Sequence, residues 1–515
     1  MAPLADSRTY FTRRSLIKTV IAGAVEASAL GCKHAERAAP SHQPDAAVRT
    51  AAALRNAQVH GETFTQGHKT RDGEVFPRAE ASESCDVVIV GGGPSGLCAA
   101  HLLQGREVIL LEKESHLGGN CSTAEWQGVR FSTGAAFFTE GDTELVELMK
   151  SVGAPGLPVQ GADSLIIDGK PYFDFFGAGA DNLPFSAAVR RDFAASAEQA
   201  AEQRHKQSSA ELDQRTFHEF LSKFQPEVKK FWDRFGESNW GGSAEHTSAR
   251  LGVHAYSWLS GDEKRLTYPG GLGVAAEALA RHVTQRNPGQ IRGSAFVHRI
   301  ELEGDKSKRV LVHTLRNGEP HTIAARAAII AVPKFFASRI VEPLSAAQRD
   351  AMRQFRYAPY PVFNVCLSQR GPQPAYDNWF LDAPFADFVT ADWVTHAGKR
   401  PIDAPSALTV YHPLPEARRS ELLDDARLVQ MADEVVQHLD RHFPGLEQQV
   451  AEVRVYRRGH ALAIPVPGQL QRAEIASRSE GRIVFAHSDS RGDVSSFPGA
   501  LRAARQAVDV VNKLG

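Results

Sequence analysis

Residues 86–112 read DVVIVGGGPSGLCAAHLLQGREVILLE, and the chemistry of this stretch lies in three glycines and an acid. Gly91, Gly93 and Gly96 have the spacing G-x-G-x-x-G, with Pro94 and Ser95 in the gap. The first glycine permits a tight turn, the second lets a pyrophosphate approach the backbone, and the third lets a helix pack closely on a strand. Free N–H groups at the start of that helix hold the anion. Glu112 follows the first glycine by about 20 residues, the interval at which a carboxylate meets a ribose. Residues 86–90 form a β-branched apolar run that predicts a parallel strand covered on both faces. Residues 97–104 predict the helix, and Val108–Leu111 the second strand. Glycine-rich turns are common, but strand, turn, helix, strand and terminal acid in one unit predict a dinucleotide-binding fold.

A chain of 515 residues exceeds one ordinary core, so two or more domains with a cleft between them are expected. Lys plus Arg number 59 against 60 Asp plus Glu, which leaves no overall field to favour nucleic acid or an anionic membrane. No stretch approaches 18 uncharged apolar residues, which excludes a polytopic membrane protein. Cys32, Cys85, Cys98, Cys121 and Cys366 show neither C-x-x-C nor zinc spacing, so no disulfide framework and no metal site are expected.

Residues 12–18, TRRSLIK, resemble a twin-arginine export motif, and a modest apolar run follows to Gly31. That route carries folded proteins, so a cofactor would be inserted before export. Ala29-Leu30-Gly31-Cys32 resembles a lipoprotein processing site, with Cys32 as the lipid anchor. Residues 1–32 are read as this signal, and the mature protein as periplasmic or membrane-anchored. Residues 33–83 lack sustained periodicity and read as a flexible linker.

After Glu112 come Lys113-Glu114-Ser115-His116-Leu117-Gly118-Gly119-Asn120. Here the chain resembles the flavin-containing amine oxidase and phytoene desaturase superfamily, which carries an acid, a short spacer and a Gly-Gly pair. The resemblance implies FAD as cofactor, with Gly118 and Gly119 as bare backbone beside its diphosphate and flavin, and Lys113 and Asn120 in the same shell. His116 and Asn120 stand where amine oxidases usually have arginines. Tyr268-Pro269-Gly270-Gly271 resembles the turn before a further FAD segment, and there Val297 would pair with the adenine by its backbone. His487-Ser488-Asp489 resembles the last motif, F-A-G-[ED]: Asp489 would bind the ribityl chain, while His487 replaces a glycine as a packing residue, proton relay or covalent link. The helix after it would point its N-terminus at the flavin. Phe497 falls where amine oxidases place one wall of an aromatic cage, and His460 lies in a segment near the flavin where Arg458 replaces the usual Trp. Phe497 and His460 are the candidate catalytic residues. Lys334 matches no motif and stays outside the site.

The expected architecture is α/β: a doubly wound, Rossmann-type FAD domain from residues 84–138, 267–334 and 455–515, interleaved with an α+β substrate domain from residues 139–266 and 335–454. The expected function is oxidation of an amine or amino acid, a small molecule, by hydride transfer to flavin N5, with oxygen or another electron acceptor. Two alternatives stand beside it: a desaturase or double-bond isomerase acting on a lipid-like substrate in a long apolar tunnel, and a non-catalytic electron carrier.

Overall fold

Val87, Val88 and Ile89 have no exposed surface, as a strand covered on both faces requires. They belong to the strand Ala81–Val90 of the computed structural model, which describes residues 57–259, 264–286, 288–304, 308–396 and 399–514. The twin-arginine motif and Cys32 lie outside the described residues. Ala81–Val90 pairs in parallel with Val108–Leu111 on one side and Glu319–Ile330 on the other. The sheet runs Ile291–Arg292, Val108–Leu111, Ala81–Val90, Glu319–Ile330, Val310–Arg316, Ala295–Leu302, Val341–Glu342, and Ile483–Phe485 adds in parallel to Glu319–Ile330. Alternation sorts its side chains. Val87 and Ile89 pack with Leu97, Leu279, Leu501 and Val508 from helices on one face, and Val88 and Val90 with Ile340, Met352 and Ala473 on the other.

A second sheet runs Ala57–Gly61, Val450–Arg457, Val362–Leu367, Ser406–Tyr411, Asp387–Thr390, Asp377–Phe380, Ser164–Ile167, Lys170–Phe173. Phe363, Val365, Leu408 and Val410 pack on the amphipathic helix Asp425–His442 through Leu428, Met431, Val435 and Leu439. Val362, Val389 and Tyr411 point to the opposite face. A helical lobe stands on this sheet, with Phe193, Phe217, Phe231, Trp232 and Trp240 at its centre. Among the described residues, no helix is long and apolar enough to cross a membrane.

Val108–Leu111 falls where the spacing put it, and Asn317-Gly318, a pair that favours hairpin turns, joins two strands at φ 52° and 88°. Others differ. Residues 320–325 and 327–333 read as two strands but form one, Glu319–Ile330, which leaves its neighbour Val310–Arg316 after its first half and takes up Ile483–Phe485 at its end. Residues 126–131 read as one strand, yet Gln127 and Gly128 turn at φ 46° and 78° and make a hairpin of Thr123–Trp126 and Val129–Ser132. The flexible linker is corrected over its second half. Ala57–Gly61 is a strand paired in parallel with Val450–Arg457, Thr65–Arg71 is a helix, and Ala81–Val90 begins before residue 84. Periodicity could not reveal a five-residue edge strand whose partner lies nearly 400 residues away along the chain.

Candidate active site

One cavity of about 2590 Å³ runs from the glycine loop to the inner face of the second sheet. Small-ligand sites usually occupy about 300–1,000 Å³, so this one has room for a dinucleotide and a further molecule.

At its first end, Ala81–Val90 delivers Gly91 at φ 109°, and the helix Pro94–Leu102 begins at once. Gly91, Gly93, Pro94 and Ser95 line the cavity. Gly96 does not. A Cβ there would lie 1.9 Å from Gly91 O, so its bareness serves the strand-to-helix packing. A Cβ on Gly93 would meet nothing nearer than Gly119 Cα at 3.9 Å, which leaves an open slot of bare backbone facing the cavity. Val108–Leu111 delivers Glu112, whose buried carboxylate accepts N–H bonds from Gly92 at 2.6 Å and Glu114 at 2.9 Å. Burial raises its pKa, and those two bonds and Lys113 pull it back. Lys113 lines the cavity, but its ammonium is held by Glu114 and by Thr63 O at 3.1 Å. Val297 lines the cavity from the buried strand Ala295–Leu302, where the register slips just after it.

In the middle, Gly118 turns at φ 113° and its N–H donates to Gly92 O at 2.9 Å. It docks the second loop on the first, and Gly119 and Asn120 face the cavity. Asn120 donates to Ala461 O at 2.7 Å. Arg458, buried, donates to Ser122 Oγ at 2.7 Å, Thr133 O at 3.0 Å and Asn120 Oδ1 at 3.3 Å. It therefore locks the Gly119-Asn120 turn from behind.

His487 and Ser488 line the cavity, and Asp489 does not. The Asp489 carboxylate is buried against Lys334 Nζ at 2.7 Å, the Tyr357 hydroxyl at 2.7 Å and His487 Nδ1 at 3.0 Å. This corrects the ribityl role expected of Asp489: its oxygens are already taken, and Ser488 is the polar group on the cavity side. Phe497 opens the helix Phe497–Lys513, capped by Ser496 Oγ accepting from Gly499 N at 3.2 Å, and its ring is packed into the core at the cavity edge. His460 stacks on Phe335 at 4.1 Å, and burial pushes its pKa down to about 3. It lines the cavity as a neutral imidazole.

At the far end, Tyr360 and Tyr411 meet edge to face at 6.1 Å, with hydroxyls donating to Ser238 O at 2.9 Å and Gly134 O at 2.7 Å. Beside them stand the buried carboxyls of Asp377 and Asp387.

The family described as flavin containing amine oxidoreductase matches residues 94–512. The chain belongs to this family. Amine oxidase [flavin-containing] B of Sus scrofa is 36% identical over 96 residues, 18% of each chain, and that of Homo sapiens 35% over the same share. The chain thus aligns with under a fifth of the length of these curated relatives. Among solved structures, a putrescine oxidase bound to putrescine is 18% identical with TM-score 0.66, covering 83% of this chain and 99% of that one. Cyclohexylamine oxidase from Brevibacterium oxydans IH-35A is 19% identical with TM-score 0.65, covering 83% and 99%. At such identity the likeness is one of fold.

FAD is the cofactor of this amine oxidoreductase family member, and the residues present fit it. The slot at Gly93 is open, Glu112 is a buried carboxyl at the cavity edge, and Gly119, Asn120 and Ser488 leave the middle unobstructed. Sequence reasoning missed Asp377 and Asp387, although a single acid opening each of the strands DNWF and DFVT was a signal. It also passed over Lys334, which no motif announces.

Proposed function

We propose that the protein oxidises a small-molecule amine at the carbon next to its nitrogen, with oxygen as the electron acceptor. The observation that carries this reading is continuity: the FAD cradle and the pocket of Tyr360, Tyr411, Asp377 and Asp387 share one cavity. Bound FAD would supply the hydride-accepting atom and the route to oxygen.

The chain's own residues bind, orient and exclude water. Gly91, Gly93 and Ser95 would hold the pyrophosphate, Glu112 the ribose, Val297 the adenine side, and Gly119, Asn120 and Ser488 the flavin end. The helix Phe497–Lys513 turns its positive end to the same region. Tyr360 and Tyr411, pinned by their hydroxyls, form rigid walls, and burial keeps both phenols protonated. A neutral amine can lie between such walls with its lone pair free. His460 stays unprotonated at neutral pH and Lys334 is bound to Asp489, so neither charges the reacting nitrogen's surroundings.

The desaturase reading expected an apolar tunnel, and carboxyls in the wall count against it. The test is aerobic turnover of an amine panel by the purified protein, with aldehyde and hydrogen peroxide measured together. Equal yields of both from one amine support the reading; no product from any amine sinks it. Export on the twin-arginine route remains part of the proposal: Arg13→Lys with Arg14→Lys is expected to leave the protein in the cytoplasm, and unchanged export would refute it.

A further inference from the structure

We infer that Asp377 and Asp387 form a subsite for a second, non-reacting ammonium, so that the substrate is a diamine or a longer polyamine. This rests on the amine-oxidation reading above and deepens it.

Strand register brings the two acids together. Trp379 stands opposite Asp387, and Asp377 opposite Val389, so the carboxyls are diagonal neighbours on one face. Asp387 stands opposite Tyr411 on the next strand, and this face is the cavity wall. Both acids are 2% exposed. Asp377 Oδ1 and Asp387 Oδ1 are buried, and the two carboxyls hydrogen-bond each other, as a pair sharing a proton does. Buried carboxyls are costly unless paired, and among the described residues no ion pair reaches Asp387.

The charge balance points the same way. Arg265 is the cation at this corner, bonded to Asp163 and lying 3.4 Å from Asp377 Oδ2. Asp163 and Asp377 thus share one guanidinium. From the helix Pro226–Trp240, Ser238 lies beside Asp387, and Glu237 is paired with Arg234 at 3.1 Å. Tyr360, Tyr376 and Tyr411 stay neutral around the pair. Burial raises the pKa values of both acids, with repulsion from Asp387 and Asp163 adding at Asp377 and from Asp163 at Asp387. An ammonium seated there replaces a proton.

The nitrogen held there is not the one oxidised. Loss of hydride from the adjacent carbon needs a free lone pair, and a carboxylate pair keeps a nitrogen protonated. A monoamine cannot occupy the acid pair and react at once, whereas a diamine can.

The test is calorimetric binding to the FAD-loaded protein under anaerobic conditions. With the flavin first reduced by dithionite, so that no amine can be oxidised, it compares α,ω-diamines with monoamines of equal length, in two buffers of different ionisation enthalpy. The expected result is a diamine preference of roughly tenfold or more, with protons released on diamine binding. That preference should fall towards unity in Asp377→Asn and Asp387→Asn, with flavin absorbance reporting cofactor loading. Equal binding of diamines and monoamines by the unaltered protein overturns the subsite and leaves amine oxidation standing. A preference unchanged in both variants also overturns it. Where neither class of amine binds, the amine-oxidation reading falls as well. Should the variants fail to fold, proton release and the binding ratio of the unaltered protein decide alone.

Discussion

Asp489 carries its charge without water: Lys334, Tyr357 and His487 take its oxygens, and both Asp489 and Lys334 have side chains with no exposed surface. Removing one partner of a buried pair strands the other charge. Lys334→Met is therefore expected to destabilise the protein by roughly 3–5 kcal/mol, and Lys334→Met with Asp489→Leu to recover much of that, both read by denaturant unfolding. The pair also has a pH signature. His487 and Lys334 hold the Asp489 pKa well below its ordinary value against the opposing pull of burial. A depressed carboxylate contributes its stability above the unfolded value of about 4 and loses it as pH falls further. The unaltered protein should thus lose stability more steeply below about pH 4 than the double variant. Spacing put an acid near the flavin, but one residue's difference along a short turn decides which side chain faces the cavity, and the turn's hydrogen bonds set that. By contrast, Glu112 was legible because strand, helix and strand fix its position.

At the scale of elements, the first strand-turn-helix unit was readable almost residue by residue, because each of its glycines answers a local backbone demand. Gly96 and Gly93 separate the two kinds of demand. Gly96→Ala drives a Cβ to 1.9 Å from Gly91 O and should cost roughly 1–3 kcal/mol or more in stability. Gly93→Ala has ordinary backbone angles and an open slot, so the fold should hold or gain about 0.4–1 kcal/mol. Its methyl group would stand where the pyrophosphate must approach. Melting temperature and flavin content of the two purified variants check this: Gly93→Ala should melt normally and lack flavin. The acid pair was less legible, since it exists only through the pairing of Asp377–Phe380 with Asp387–Thr390, and no short motif encodes a register.

Across the whole molecule, the chain enters the first sheet in three stretches and spends the intervals on the second. The boundaries moved where pairing crosses them: Val341–Glu342 lies in the first sheet beyond residue 334, and Val450–Arg457 in the second across residue 455. Residues 57–63 were read as linker, yet they link the two halves. Ala57–Gly61 edges the second sheet, and Thr63 donates to Glu114 Oε1 through N at 2.8 Å and Oγ1 at 2.9 Å, beside the FAD cradle. A chain beginning after residue 63 is expected to melt several degrees lower and to aggregate through the bared edge of Val450–Arg457. An unchanged melting temperature would show the strand to be dispensable.

The central claim, that FAD and an amine meet in one cavity, is tested most directly by following the flavin absorbance of the purified protein under anaerobic conditions while amines are added. Bleaching by an amine, reversed on admitting oxygen, is the predicted result. Flavin that no amine bleaches would contradict amine oxidation, and a protein that folds normally but binds no flavin would contradict the cradle itself.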